Sequence, residues 1–425
     1  LASTIAAAAA DMARLFGFSE NETEKFGQST VGFFLYLCEH LSSAGGLRLT
    51  ISDGGTYVRA AFRFRAGAST HQALSLVAGL DGDTSRSDDA PPMRMPDRCS
   101  LEPCGNQTFD LVSEVDRSYP EGAPMVSSHA LCRPISIIAT EADAASAGRL
   151  QQAAMLATGR YPTRACQSSL FRPGLFADLV ATGQYQALLA VDGKERLAGM
   201  LCWSRSSRNA VAFCGPYVFD PIGDAPVLQE TAELLTERFL ATVARTDAVC
   251  AFSERPTADV PAGWFERLGT LDLHGEGSTG SSEQSALFRH LREDMGGTVW
   301  AHPDHRVFLE ARYDDLALSR DILDAAASPA SRLPEHALLA TTHDHRRHLR
   351  ILRPILDGQD FAVGLASQTV VTEPSDGQGV DILLHLDLSA PWQAARMPDI
   401  AACGFVPRFV LPYAGASDVL VYQHL

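Results

Sequence analysis

The sequence predicts a mixed α/β protein built from several units. Three observations lead there. The chain has 425 residues, against roughly 150 for an ordinary domain, so about three units are expected. Hydrophobic residues make up 46% and charged residues 20%, as in a packed globular chain. Between 134 and 269 the apolar periodicity switches in the order β-α-α-β-β-β-α-β-α, which describes a mixed sheet with helices on both faces.

The first unit is expected over 1–118. Residues 3–16 have helical periodicity, with Ser3 available as a cap and Gly17 as a stop. Ser19, followed by Glu20 and Glu22, opens a second helix to about His40. Its stretch 33–37 is apolar on nearly all sides and is expected to be buried. Residues 47–52 and 57–64 alternate like two strands, joined by Asp53-Gly54-Gly55. The Asp-, Pro- and Gly-rich stretch 81–107 predicts a loop, and 108–115 a strand. Residues 119–122 read as a linker.

The second unit is expected over 128–275. It has strands at 134–138, 186–191, 197–204, 210–220 and 247–252. Helices are expected at 142–158, 171–182 and 226–244, and a short one at 264–269. The strand at 210–220 feeds a loop and then a helix start at 226, an arrangement that suits phosphate binding. Residues 275–286 are rich in Gly and Ser and read as a flexible linker.

The third unit is expected over 285–425. Strands are predicted at 298–300, 336–341, 362–365, 381–386 and 419–424, and helices at 313–327 and 392–402.

Charge narrows the partners. With 35 Lys+Arg against 51 Asp+Glu the formal charge is -16, which disfavours nucleic acid and anionic membrane surfaces. No apolar run of ~18 residues exists to span a membrane. The nine cysteines include none in a CxxC pair, and several lie inside apolar runs, as reduced thiols of a cytoplasmic protein do. No metal site is expected. In the His343, His345 and His348 cluster, His345 and His348 would be neighbours on a helix with Asp344 beside His348, but Arg346 and Arg347 would repel a cation. No nucleophile elbow, P-loop or dinucleotide fingerprint occurs.

The central stretch resembles the GNAT (Gcn-type N-acetyltransferase) superfamily. The resemblance is carried by 185–192, 197–204, 210–221, the loop Ile222-Gly223-Asp224-Ala225 and the helix that Pro226 begins. It implies an acyl-CoA-dependent N-acyltransferase using acetyl-CoA or another acyl-CoA. The cofactor residues would be Val218, Phe219, Ile222, Gly223, Asp224, Ala225 and Val227. Small residues there let backbone N–H groups approach a pyrophosphate beside a helix N-terminus. Asp220 stands where the family has a basic or amide residue. By the same resemblance Glu254 would deprotonate the amine and Tyr217 would protonate the thiolate. The acceptor would be a small amine or a protein lysine. The stretch 381–425 resembles the final third of the same fold, with Cys403-Gly404-Phe405 at its turn.

Residues 1–118 resemble the GHKL ATPase fold of anti-sigma-factor kinases, through the helix pair, Glu39-His40, the 47–64 hairpin and the strand 108–115. Gly32 and Tyr36 occupy the positions of that family's acid and its Mg²⁺-bearing Asn, so ATP is not expected as a ligand. This departure motivates an alternative function: a non-catalytic regulatory or assembly protein that binds a protein partner or a second copy of itself.

Overall fold

A computed structural model describes residues 1–41, 46–65, 96–105, 108–140, 143–220, 225–274, 281–325, 333–344, 346–369 and 380–425. It is a mixed α/β protein with a four-stranded, a seven-stranded, a two-stranded and a five-stranded sheet. No helix among the described residues is long and apolar enough to cross a membrane.

Helix α1 (Ala2–Leu15) and α2 (Glu20–His40) form an antiparallel pair. Ser19 and Glu22 build a reciprocal capping box at α2, which satisfies two otherwise unpartnered N–H groups. Helix α1 differs from expectation: Leu1 is its N-cap and no side chain caps it. Gly17 follows with φ +81°. The helices lie on β1 (Arg48–Asp53), β2 (Tyr57–Arg65), β3 (Arg98–Gly105) and β4 (Thr108–Asp116), all antiparallel in the order β1-β2-β4-β3. Phe26, Phe33 and Leu37 are buried, but Leu35 is exposed, because an α-helix on one sheet hides only one face. The predicted loop is also corrected: 98–105 is a strand. It tolerates Pro103 because it is the sheet edge, where one side needs no N–H donor. The rest of the predicted loop, 81–95 and 106–107, lies outside the described residues.

The seven-stranded sheet contains β5 (Ser136–Ala139), β6 (Gln186–Val191), β7 (Leu197–Arg205), β8 (Ala210–Val218), β9 (Cys250–Ser253), β10 (Glu266–His274) and β11 (Ser281–His290). Its order is β10-β11-β9-β8-β7-β6-β5, and only β8 and β9 are parallel. Helix α3 (Ala144–Arg160), capped by Asp143, and α4 (Pro173–Ala181) pack on one face. Helix α5 (Ala225–Val243) packs on the other.

Two expectations change here. Residues 266–269 are strand, not helix: Gly269 lies so close to Phe409 that an added Cβ would meet its Cβ at 2.8 Å. The predicted linker is also partly strand. Residues 281–290 enter the sheet between β9 and β10, so tertiary pairing overrides their Ser-rich composition.

Strand β12 (Gly297–Ala301), α6 (Pro303–Asp315) and β13 (Arg320–Asp324) form a parallel β-α-β unit. The expected helix over 313–327 therefore starts earlier and stops at Asp315. The last sheet has β14 (Leu338–Asp344), β15 (Leu349–Leu356), β16 (Asp381–Asp387), β17 (Phe405–Leu411) and β18 (Val419–His424), ordered β14-β15-β16-β18-β17. Helix α7 (Phe361–Thr369) replaces the strand expected at 362–365. The helix expected at 392–402 is two short ones, α8 (Pro391–Ala395) and α9 (Met397–Ala402). Residues 343–344 end β14 and 346–348 form a turn, so the histidines do not share a helix face. His345 lies outside the described residues.

The last two large sheets share one continuous core, from Phe252 and Phe288 to Leu384 and Val421. Polar bonds join them: Gln423 accepts from Asp272 N–H at 3.1 Å and donates to Asp272 O at 2.6 Å. Leu338, Ile355 and Leu356 reach the core of the first sheet.

Candidate functional site

The site begins where β8 leaves β9. The two strands pair only through Ala210–Ala212 and Cys250–Phe252. Gly215 then takes φ +96°, a conformation a side chain resists. Pro216 follows and has no N–H to offer. One isolated bridge, Gly215 to Pro256, links the strands beyond that point. Residues 216 and 218 turn their polar groups away from β7. Phe219 N–H instead reaches Ala198 O on β7, at 2.8 Å.

Side chains occupy this open edge. Thr257 donates to Pro216 O at 2.6 Å. The Tyr161 hydroxyl, just past the end of α3, accepts from Val218 N–H at 2.6 Å. It donates to the Asp259 carboxylate and lies 3.1 Å from Val218 O. Burial and then Asp259 push the Tyr161 hydroxyl far above its usual pKa.

Each residue singled out in the sequence has a definite place. Tyr217 is wholly buried, donates to Ala165 O at 2.8 Å and stacks edge-on with Tyr161 at 5.1 Å. Burial, followed by the neighbouring thiols, raises its pKa strongly. Val218 and Phe219 are buried at the strand end. Ala225 opens α5, and Val227, two residues on, packs into the core. Ile222, Gly223 and Asp224 lie outside the described residues.

Glu254 follows β9 directly. Its backbone carbonyl accepts from Gln284, and its side chain lines a cavity of about 800 Å³. Neighbouring Arg255 turns away and donates to Gln167 at 2.7 Å. Tyr217 and Glu254 thus lie on different sides of the strand parting, one in the core and one on a cavity wall.

Sequence reasoning missed Arg160 and Tyr161. Arg160 donates to Asp220 O, beside the 221–224 loop. With Phe219 and Met125 it lines a second cavity of about 230 Å³. Arg160 therefore puts positive charge where the chain lacks a basic residue at 220. The stretch Arg160-Tyr161-Pro162 at the end of a helix was the available signal. Its meaning depends on a fold that carries the helix end across to β8. Among the described residues no group of three or more His, Cys, Asp or Glu could hold a metal ion.

No protein-family model matches the sequence, and no curated protein matches it. Solved structures do give matches. A GNAT-family acetyltransferase from Staphylococcus aureus is 15% identical, with TM-score 0.27, over 37% of this chain and 100% of that one. An aminoglycoside 6'-N-acetyltransferase from Enterococcus faecium is 10% identical, with TM-score 0.27, over 38% and 98%. A spermidine/spermine N-acetyltransferase from Vibrio cholerae is 11% identical, with TM-score 0.27, over 37% and 92%.

Proposed function

We propose that the seven-stranded sheet and its helices form an acyl-CoA-dependent N-acyltransferase of the GNAT type. The observation that carries this reading is the parting of β8 and β9. Two parallel strands separate after three residue pairs, and α5 starts seven residues after β8 ends. A pantetheine arm can lie in such a gap, with the pyrophosphate held by loop N–H groups at the helix start.

In this reading Val218, Phe219, Ile222, Gly223, Asp224, Ala225 and Val227 surround the cofactor, and Arg160 adds charge for its phosphates. Val218 N–H would polarise the thioester carbonyl, and the Tyr161 hydroxyl oxygen now stands in for that carbonyl oxygen. Glu254 takes the proton from the amine, which attacks the thioester carbon. The thiolate of CoA leaves and needs a proton. Tyr161 reaches it more directly than Tyr217, whose hydroxyl bonds inward to Ala165. The acceptor is an amine, either small or on a protein lysine. The division into units at 1–118, 128–275 and 285–425, with a GHKL-like first unit, belongs to the same reading.

One observation favours a second reading. Pro216 removes one ligand-facing N–H, and Tyr161 and Thr257 satisfy other groups on that edge. A fold that has closed its own groove suits a non-catalytic assembly protein. Calorimetric titration of acetyl-CoA into the full-length protein separates the two. One-to-one heat supports the transferase. No heat from protein shown to be folded moves the function to partner binding.

A further inference from the structure

One cavity lies not within one sheet but between the four-stranded, seven-stranded and five-stranded sheets. Its volume is about 800 Å³, inside the range of roughly 300–1,000 Å³ usual for small-molecule sites. Strand β3 contributes Leu101, the end of β9 contributes Phe252 and Glu254, and the last sheet contributes Arg353, His385 and Trp392.

The charged groups on its wall divide into used and unused. Glu102 is held by Arg59 at 2.9 Å. The Asp387 carboxylate accepts from Ser389 N–H at 2.9 Å and Ala416 N–H at 3.1 Å. No hydrogen bond or ion pair engages the Glu254 carboxylate or the Arg353 guanidinium among the described residues. Between them in character is His385. Its Nε2 is buried without a hydrogen-bond partner among the described residues. Burial, and then Arg353, lower its pKa to about 4 against the opposing pull of Glu254. At neutral pH it is an uncharged imidazole with an unmet hydrogen bond.

The buried His385 nitrogen has given up its hydration without a partner, and near it stand a half-buried Glu254 carboxylate and an exposed Arg353 guanidinium at the rim, neither bonded within the described residues. A single ligand with both charges would answer them. We propose that this cavity binds a small zwitterion with an apolar body, the chemistry of an apolar amino acid. Its ammonium meets Glu254, its carboxylate meets Arg353, and its side chain lies against Trp392, Phe252 and Leu101. The proposal deepens the transferase reading, on which it rests only for the fate of the ligand: the amine beside Glu254 is the one to be acylated. Binding itself needs no acyl transfer.

Calorimetry on the full-length protein tests it with three probes of one shape: L-phenylalanine, phenethylamine and hydrocinnamate. L-phenylalanine is expected to bind at least about tenfold more tightly than either single-charge probe. Glu254→Gln should weaken L-phenylalanine and phenethylamine but not hydrocinnamate, and Arg353→Gln should do the reverse with the two single-charge probes. Equal affinities for all three, absence of binding, or variants with unchanged affinity would overturn the proposal. If either charge variant fails to fold, Ala340→Phe, which fills the cavity from β14, must abolish binding instead. Acetyl-CoA heat without L-phenylalanine binding removes this site and leaves the transferase. L-phenylalanine binding without acetyl-CoA heat does the opposite.

Discussion

The Tyr161 hydroxyl sits 2.6 Å from the Val218 nitrogen and accepts its N–H, on the stretch of β8 that β9 no longer covers. The residue after α3 thus does for β8 what a neighbouring strand would have done. It also takes up the Val218 amide on the edge where Pro216 has none to offer.

Tyr161→Phe should therefore have two separable effects. Loss of the hydroxyl frees Val218 N–H, and acetyl-CoA should bind several-fold tighter by calorimetry. The fold should lose on the order of 1 kcal/mol, seen as a lower urea midpoint. Unchanged acetyl-CoA affinity with lowered stability would mean that Tyr161 is only a structural cap.

Asp192 predicts a pH dependence. It is buried at the β6–β7 turn. Burial alone would raise its pKa, but the Arg196 guanidinium and the N–H groups of Arg196, Lys194 and Cys132 outweigh it and hold the pKa at about 2. The folded value lies below the unfolded one near 4, so the contribution is present above about pH 4 and lost as pH falls from there towards 2. Its size is on the order of 2 kcal/mol. Asp192→Asn should lower the thermal midpoint at pH 7 and flatten the acid limb of the stability curve.

Arg320 is buried between Asp294 at 2.5 Å and Asp418 at 2.7 Å. Arg320→Met would leave two buried carboxylates without their cation. Denaturant titration should show a loss of about 3–5 kcal/mol. Adding Asp418→Asn should recover part of it. A loss under about 1 kcal/mol would show that water reaches the cluster.

Gly269 sits under β17. An added Cβ would meet Phe409 Cβ at 2.8 Å and Arg408 O at 2.9 Å. Gly269→Ala must push the two sheets apart, at about 1–3 kcal/mol. Hydrogen exchange should rise in both β10 and β17. A rise in β10 alone would mean that the sheets do not share their stability.

The parts legible in the sequence have local causes. Ser19 and Glu22 cap α2 from three residues apart, Gly17 ends the preceding helix, and Asp53 accepts from Gly55 N–H in its own turn. The β6–β7–β8 run is legible because its strands pair with partners adjacent in sequence. The errors fall where partners are remote. Residues 281–290 look like a linker until β9 and β10 flank them. Residues 98–105 look like a loop because the stretch before them is rich in Asp, Gly and Pro, whereas their pairing partner is the strand 108–116. Residues 361–369 are too short and too evenly apolar for periodicity to separate helix from strand.

The sequence by itself determined a mixed α/β chain, its net negative charge, most helices, and Tyr217, Val218 and Glu254 as points on one strand pair and its exit. Only the tertiary structure decided what those points face. Whether Tyr217 opens to a cleft or bonds inward to Ala165 depends on where the 161–167 segment packs. Whether Glu254 meets solvent or a cavity depends on Arg353 and His385, 99 and 131 residues further along the sequence. Hydrogen bonds and burial act over a few ångströms in space. Local periodicity reports only the neighbours that chain connectivity supplies, and the cavity beside Glu254 is lined from three sheets whose strands lie far apart in sequence.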